Sequence, residues 1–358
     1  MLRIASFNAE NLMERFDFAA ARKGRGGHGH AHHDDARQMK ALAIAACGAD
    51  VVCLQEVENR TALDDFEDAY LYPTTGVGYP HKVWTAGNDS RGIDVALMAR
   101  ERTATGETIE VLDTRSHRKR SYADFGLHNA ALAKMGVEAH DRIFRRDCLE
   151  VDLAIGGRRL TLFLCHFKSM GPGRNGVPGR EWTLPVRLAE ALAVRRIVRD
   201  RFGTDRAARM RWLVVGDLND YRERLAVTGN RVDGFSFATA REATSGIEPL
   251  FEPDFGEDLM QRRAADDRWT LHYEAGPVED IRKPGGRAFR HLVQLDYLIA
   301  SPALAKGNAD AVPDIVRAGL PHRVVMPAAQ AEPRYPRTGW DRPKASDHCP
   351  VAVTLQMV

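Results

Sequence analysis

The most constraining feature of the sequence is an uninterrupted apolar run that ends in a carboxylate. Residues 212–215 are Trp-Leu-Val-Val, and Gly216 and Asp217 follow them directly. Two of the four apolar residues are β-branched, so the run predicts a strand that is buried on both faces of its sheet. A carboxylate at the end of such a strand is costly unless it is paired, hydrogen-bonded or bound to a metal. Asp217 therefore needs a partner, although a carboxylate that only caps the following turn is an alternative.

Polar side chains recur at the ends of other predicted strands. Apolar runs predict strands over residues 2–7, 51–54, 93–99, 148–155, 159–165 and 292–300, and a closing strand after residue 350. Apolar residues at helical spacing predict helices over residues 36–47 and 184–202. Because strands and helices alternate, the sequence predicts an α/β fold. The polar residues at or beside the strand ends are Asn8, Glu10, Glu56, His166, Asp217, Asn219, Asp296, Asp347 and His348.

Two segments lack this pattern. Residues 22–35 are rich in glycine and histidine and predict a mobile loop, which either binds metal through its His-x-His spacings or is only a solvated linker. Residues 221–289 carry many charges and predict an insertion near the site, with one short strand at 268–273. A loop rich in glycine and proline is predicted at 171–179.

Composition narrows the classes of function. The chain has 51 Lys and Arg against 49 Asp and Glu, so it has no global positive field and any site for a polyanion must be local. The densest basic cluster, at residues 115–120, is either such a site or a solvated loop. Five cysteines without C-x-x-C spacing predict buried free thiols and a reducing compartment. No apolar run is long enough to span a membrane, so we expect a cytoplasmic protein.

Six motifs, in their order along the chain, resemble the endonuclease/exonuclease/phosphatase superfamily. They are SFNAEN at 6–11, CLQEVEN at 53–59, CHFKS at 165–169, VVGDLND at 214–220, LDYLIAS at 295–301 and SDHCPVAV at 346–353. The resemblance implies a single domain over residues 1–358, built as a four-layered α/β sandwich in which two mixed β-sheets pack face to face with helices outside. His166 resembles the deoxyribonuclease and sphingomyelinase branches of this family and differs from the apurinic branch.

The resemblance also implies a metal site. Glu56 is the expected ligand of Mg²⁺ or Mn²⁺, with Asn8, Glu10 and Asp347 in the same cluster. Carboxylate and amide oxygens without a thiolate are the ligands that these hard cations prefer.

The catalytic roles follow from the same resemblance. Asp217 and Asn219 would hold the attacking water and a phosphate oxygen, while Asp296 and His348 are similar to the Asp-His pair of the family. The reaction expected is hydrolysis of a phosphodiester by in-line attack of water. Either His348 is the base, or Asp217 is the base and His348 donates to the phosphate.

Three further residues are expected on the substrate side. His166 and Lys168 lie two positions apart in an extended chain and would contact one phosphate, and Arg91 could face a phosphate as well. Asp94 is a candidate partner for His166.

Nucleic acid is the expected substrate, because arginines at 115–120 and 142–146 could contact its phosphates. The alternative is a phosphatase or phosphodiesterase for a small ester such as an inositol phosphate, a nucleotide or a phospholipid headgroup. A His-rich metal-binding scaffold is the non-enzymatic alternative, although a scaffold needs none of the matched polar residues. No obligate protein partner is evident.

Overall fold

The computed structural model describes residues 1–14, 34–174, 176–275 and 289–357. Its strands are β1 (Leu2–Leu12), β2 (Val51–Val57), β3 (His81–Thr85), β4 (Asp94–Ala99), β5 (Ile109–Ser116), β6 (Cys148–Ile155), β7 (Arg158–His166), β8 (Trp212–Asp217), β9 (Glu223–Asn230), β10 (Gly234–Arg241), β11 (Glu257–Asp258), β12 (Leu271–Ala275), β13 (Phe289–Val293), β14 (Asp296–Ala300), β15 (Asp314–Ile315) and β16 (Val351–Leu355). Its α-helices are α1 (Asp34–Cys47), α2 (Arg60–Phe66), α3 (Tyr72–Thr75), α4 (Tyr122–Phe125), α5 (Ala130–Lys134), α6 (Gly179–Phe202), α7 (Thr204–Ala207) and α8 (Pro302–Lys306).

Two six-stranded sheets form the centre of the fold. The first sheet has the order β15-β16-β1-β2-β4-β3, and the second sheet has the order β11-β14-β8-β7-β6-β5. Each sheet contains one parallel pair, β1 with β2 and β7 with β8, while its other neighbours are antiparallel. Both sheets are therefore mixed, as predicted.

The alternation of side chains along the strands produces four layers. Leu213 and Val215 of β8 lie in the apolar core that also contains Ile4 of β1, so this core is between the two sheets. Trp212 and Val214 lie on the opposite face of β8 and pack with residues of α6. On the first sheet, Ala5 and Phe7 belong to a third core with residues of α1. The order α1, first sheet, second sheet, α6 confirms the predicted sandwich.

The prediction of a single short strand within residues 221–289 is wrong. β9, β10 and β12 lie in this segment and join β13 in an antiparallel third sheet of order β10-β9-β13-β12. Only two side chains of β9, Leu225 and Val227, are buried, so its apolar pattern is too short to distinguish it from a charged loop. The third sheet carries a hairpin of β9 and β10 beside the two main sheets.

Other predicted boundaries also differ. The single strand expected at 292–300 is interrupted at Gln294 and Leu295, so that β13 belongs to the third sheet and β14 to the second. Helix α6 begins at Gly179 instead of Leu184 and includes Pro185. Of the predicted His-rich loop, residues 22–33 lie outside the described residues, and Asp34 already begins α1.

All five cysteines are buried and carry free thiols. Within the described ranges, none of the helices has the length and hydropathy needed to cross a membrane.

Position 216 requires a glycine because β7 and β8 approach each other closely there. Its φ is 139°, and a Cβ at this position would lie 2.0 Å from the carbonyl oxygen of Cys165 on β7. We expect Gly216→Ala to force β8 away from β7 beside Asp217 and to lower the free energy of unfolding by about 3 kcal/mol. Gly157→Ala is the matched control, because Gly157 has a φ of 83° but nothing within 4 Å of the added Cβ. Chemical denaturation should show a smaller loss there, about 1 kcal/mol, and equal losses would contradict this explanation.

Candidate functional site

The topology brings the polar strand ends to one edge of the sandwich. His166 and Asp296 are both in register with Asp217, on the two strands that flank β8. At the facing edge of the first sheet, Asn8 is in register with Gln55, next to Glu56. Four non-glycine residues here have left-handed backbone conformations, with φ of 45° at Glu10, 62° at Asn11, 65° at Glu56 and 51° at Asn219. Such conformations are uncommon outside glycine and concentrate at functional sites.

Asp217 is the centre of this arrangement. Its Oδ2 accepts hydrogen bonds from Nδ2 of Asn8 and Nδ2 of Asn219, each at 3.0 Å. Its Oδ1 accepts from the backbone N–H of Asn219 at 2.8 Å. The Nε2 atoms of His166 and His348 lie 3.4 Å and 3.7 Å from Oδ2. Asp217 therefore does more than cap the turn that follows it, because the side chains of Asn8, His166 and His348, from three other segments, also lie close to its carboxylate.

Asp296 and His348 form the predicted pair. Nδ1 of His348 lies 2.8 Å from Oδ2 of Asp296, and both side chains are buried. Because a carboxylate on Nδ1 fixes the tautomer, Nε2 is the nitrogen directed toward Asp217. Ser346 supports the same turn, since its Oγ accepts the backbone N–H of His348 and donates to the carbonyl of Asn8.

Burial and neighbouring charges shift the proton affinities of these groups. Burial raises the pKa of Asp217, His348 opposes this shift and the charge of Asp296 adds to it, and together these effects place the pKa at about 7. Burial by itself lowers the pKa of His348, but Asp296 and Asp217 together hold it well above the ordinary value. At neutral pH the imidazole of His348 is therefore a cation between two carboxyl groups, and Asp217 is close to its midpoint of ionisation.

His166 has a different environment from His348. Burial, together with the positive charges of Arg146 and His348, holds the pKa of His166 well below its usual value, so the ring is neutral. Within the described chain, Nδ1 of His166 has no hydrogen-bond partner. Asp94 accepts the backbone N–H of Gly87 instead, so the suggested pairing of Asp94 with His166 is wrong.

Glu56 and Asp347 are the two predicted metal ligands that face each other. Burial and the negative charge of Asp347 raise the pKa of Glu56, which shows that the two carboxylates repel each other. Lys344 and His348 hold the pKa of Asp347 at about 2 despite its burial. A divalent cation bound here would stabilise both carboxylates in their ionised forms, and both side chains are partly exposed to solvent.

The other two predicted ligands bind neighbours within the protein. Glu10 accepts Nη2 of Arg342 at 2.7 Å on one oxygen, and on the other it accepts Nζ of Lys344 and the backbone N–H of Asp347, each at 3.0 Å. The amide of Asn8 donates to Asp217 and accepts the backbone N–H of Glu10. Both residues therefore position the ligand-bearing segments in this structure.

Among the described residues, no group of three His, Cys, Asp or Glu side chains could hold a metal ion by itself. A closed site of the zinc type requires such a group, because structural zinc takes four protein ligands. Mg²⁺ instead keeps several waters and uses one or two carboxylates together with phosphate oxygens of the substrate. Glu56 and Asp347 fit the second kind of site.

Three cations line the side of the site near His166. Arg146 is buried, donates from Nη1 to the carbonyl of Phe167 at 2.8 Å, and has Nε 3.2 Å from Asp89. Arg91 is more exposed, pairs with Asp89 at 3.0 Å, and its charge also lowers the pKa of His166. Nζ of Lys168 donates to the carbonyl and hydroxyl of Ser169, so in this structure it does not point with His166 at a shared position.

The basic cluster at residues 115–120 is partly paired with acids. Arg115 pairs with Glu150 and Asp113, His117 lies 3.1 Å from Glu150, and Arg120 is 3.9 Å from Asp124. Among the described residues, Arg118 and Lys119 have no such acid partner, so a site for a polyanion and a solvated loop both stay open for this cluster.

Sequence reasoning missed two positioning residues. Oγ1 of Thr270 accepts the backbone N–H groups of Leu295 and Asp296, and the carbonyl of Thr270 accepts that of Cys349. Thr270 thus holds together the segments that carry Asp296 and His348, a role with no local sequence signal. Arg146 was within a stretch of arginines considered for phosphate contact, but its burial beside His166 could not be anticipated.

Comparisons with known proteins bear on the family and the fold of the chain. A sequence model described as the Endonuclease/Exonuclease/phosphatase family matches residues 5–348. Truncated TDP2 of Caenorhabditis elegans superimposes with a TM-score of 0.50 at 16% identity, covering 99% of this chain and 97% of that chain. TDP2 of D. rerio, complexed with a single-strand DNA product, gives 0.52 at 14% identity, covering 99% and 98%. At these identities the two likenesses show the fold alone. No curated protein matches the chain.

Proposed function

The chain belongs to the endonuclease/exonuclease/phosphatase family, and from this we propose that it is a metal-dependent phosphodiester hydrolase that acts on nucleic acid. The observation that carries the proposal is the environment of Asp217. A buried carboxylate with a pKa near neutrality, oriented by two amides and facing two imidazoles, is suited to accept a proton from water. A phosphorus atom attacked by that water would lie within reach of His348 and Asn219.

In the proposed reaction, Asp217 accepts the proton and His348 stabilises the negative charge that develops. Asp217 takes a proton as the oxygen of water forms a bond to phosphorus, and the bond from phosphorus to the leaving oxygen breaks. His348, held as a cation by Asp296, donates a hydrogen bond to a non-bridging oxygen, where negative charge accumulates. This favours Asp217 as the base and His348 as the donor over the reverse assignment.

Glu56 and Asp347 would hold one Mg²⁺ or Mn²⁺, which when bound would stabilise the negative charge on the phosphate and on the leaving oxygen. Asn8 and Glu10 would act on this site indirectly, by orienting Asp217 and the segment that carries Asp347. Neutral His166 would complete the opposite wall of the phosphate site, as a hydrogen-bond donor through Nε2.

Nucleic acid is favoured as the substrate because cations lie on both sides of the candidate phosphate site. Arg91 is on the side of His166 and Arg342 is on the side of Glu10, and both side chains are exposed, although each also pairs with an acid. A chain with several phosphates could use both sides, whereas a small monoester occupies only the centre. The D. rerio TDP2 structure contains single-strand DNA product, which makes a nucleic acid a reasonable first substrate to test here.

The test is a substrate panel with the full chain. We expect hydrolysis of labelled single-stranded DNA, duplex DNA or RNA with Mg²⁺ or Mn²⁺, no hydrolysis in EDTA, and recovery when the metal is restored. Cleavage should weaken steeply as salt rises, because phosphate contacts release counterions.

Small phosphoesters serve as the comparison in this panel. Efficient, salt-insensitive turnover of an inositol phosphate, a nucleotide or a phospholipid headgroup with no cleavage of nucleic acid would replace the nuclease by a small-ester phosphatase. Hydrolysis that persists unchanged in EDTA would contradict the proposed metal dependence.

A further inference from the structure

A buried lysine contacts both of the backbone segments that meet at the candidate metal site. Lys40 of α1 is 1% exposed, although lysine is rarely buried to this extent unless it is paired with an acid. Within the described chain, its Nζ donates to no carboxylate and instead donates to the carbonyl oxygens of Ala9 and Ala345. The carbonyl oxygen of Glu10 lies 3.5 Å from the same nitrogen. Lys40 is therefore held by backbone groups of two segments that are far apart in the sequence.

These two segments determine where the candidate metal ligands lie. The first is the end of β1, and the second is the turn that carries Asp347. The backbone N–H of Asp347 donates to Oε2 of Glu10 in the first segment at 3.0 Å. The first segment also reaches the other candidate ligand, since the backbone N–H of Asn11 donates to Oε2 of Glu56 at 3.1 Å. A shift of the backbone at residues 9–11 would therefore move Glu56 and Asp347 relative to each other.

The backbone of the first segment has an uncommon conformation. Glu10 and Asn11 have φ of 45° and 62°, both in the left-handed region. Consecutive non-glycine residues in this region persist only where the surrounding contacts hold them. The carbonyls of Ala9 and Glu10 belong to the peptide groups on the two sides of residue 10, and Nζ of Lys40 contacts both. Lys40 thus supplies contacts that this conformation requires.

The hydrogen bonds of Lys40 do not depend on its charge. Burial lowers the pKa of Lys40 to about 7. The charges that also act on it are those of Glu10, Lys344, Asp347 and Glu56, of which only that of Lys344 lowers the pKa further. An ammonium group has three N–H bonds and a neutral amine has two, so either form can donate to two carbonyls. The side chain can therefore connect the two segments in both protonation states.

We infer that Lys40 is a positioning residue for the divalent cation, because its hydrogen bonds to Ala9 and Ala345 hold Glu56 and Asp347 in the arrangement that binds it. This inference rests on the metal site of the proposed function, and it adds a residue of α1 that touches neither cation nor substrate. As a positive charge alone, Lys40 would weaken the binding of a cation. As a hydrogen-bond donor that holds the ligands in place, it strengthens that binding. The two roles therefore predict opposite effects of removing it.

Calorimetric titration of the full chain with Mn²⁺, without substrate, measures this role apart from catalysis. Lys40→Met and Lys40→Gln give side chains of equal length without a charge, but only the glutamine has N–H donors. We expect Lys40→Met to raise the Kd for Mn²⁺ about tenfold and Lys40→Gln to raise it by less, about threefold, in line with the effect of residues that orient metal ligands. Glu56→Gln provides the background, because it removes a proposed ligand and leaves the His-rich residues 22–33 intact.

Lys82→Met is the matched control. The side chain of Lys82 is 8% exposed, but it pairs with Asp64 and Glu67 instead of with backbone carbonyls of the site. Chemical denaturation in EDTA should show a loss of stability in Lys82→Met, while its Kd for Mn²⁺ should stay within about twofold of the wild type. A loss of Mn²⁺ affinity as large as that of Lys40→Met would mean that general destabilisation is the cause, and the positioning role would be overturned.

The remaining outcomes separate this inference from the proposed function. If Lys40→Met binds Mn²⁺ as tightly as the wild type or more tightly, Lys40 acts at most through its charge, and the positioning role is overturned while the metal site stands. If the wild type and Glu56→Gln bind Mn²⁺ equally, the metal site of the proposed function fails and the role of Lys40 fails with it. Should circular dichroism show that Lys40→Met does not fold, Lys40→Gln decides by itself: weaker binding than the wild type supports the role, and equal or tighter binding overturns it.

Discussion

His348→Ala is expected to lower kcat by about 10³- to 10⁴-fold while the protein remains folded. The imidazole of His348 is the group that Asp296 holds as a cation beside Asp217, so the substitution removes the donor proposed for the non-bridging oxygen. Single-turnover hydrolysis at saturating Mg²⁺ measures the loss, and circular dichroism checks the fold. His128→Ala is the matched control, because the exposed His128 bonds only to the carbonyl of Val137 in the region of α4 and α5.

Asp296→Asn tests whether His348 depends on its pairing with Asp296. Asp296 acts through His348, so Asp296→Asn should lower kcat by about 10²- to 10⁴-fold, and the double variant should be no slower than His348→Ala alone. Losses that simply multiply in the double variant would mean that the two residues act independently. Activity of His348→Ala close to that of the wild type would remove His348 from the reaction.

The site could be predicted from the sequence to the extent that each functional residue lies next to an apolar run. The apolar run before Asp217 and the one before His166 predict buried strands, and a buried strand that ends in a polar group places it at a sheet edge. Such patterns are local in sequence. The motif at Ser346 and His348 is similarly compact, which is why Asp296 and His348 could be paired by resemblance.

What the sequence did not contain are the contacts between distant segments. Glu10 lies near the end of its strand just as Glu56 does, yet Glu10 is bound by Arg342 and Lys344, residues more than three hundred positions away. The third sheet was missed for a related reason, since β9 shows its apolar residues only where it meets β13.

Asp217→Asn is expected to lower kcat by about 10³- to 10⁴-fold and to remove an acidic limb from the pH profile. Burial raises the pKa of Asp217 to about 7, so in the wild type kcat/KM should rise with pH as this carboxyl loses its proton near neutrality. An asparagine has no proton to lose, so the residual activity of the variant should lack that limb. If the limb persists in Asp217→Asn but disappears in His348→Ala, then His348 is the base and the proposed proton path is wrong.

The same substitution has a consequence for stability that does not depend on activity. Because the pKa of Asp217 is higher in the folded chain than in the unfolded chain, the protonated carboxyl favours folding at acidic pH, and this contribution is lost as pH rises through about 7. Asparagine cannot titrate, and it also places an amide N–H against donors on Asn8 or Asn219, at a cost of about 1–3 kcal/mol. We therefore expect the melting temperature of Asp217→Asn minus that of the wild type, measured in EDTA, to increase from pH 5 to pH 8. The sign of this difference at either pH does not affect the test. A difference that stays constant across this range would show that Asp217 is already ionised at pH 5, and the acidic limb expected near neutrality would then have to come from another group.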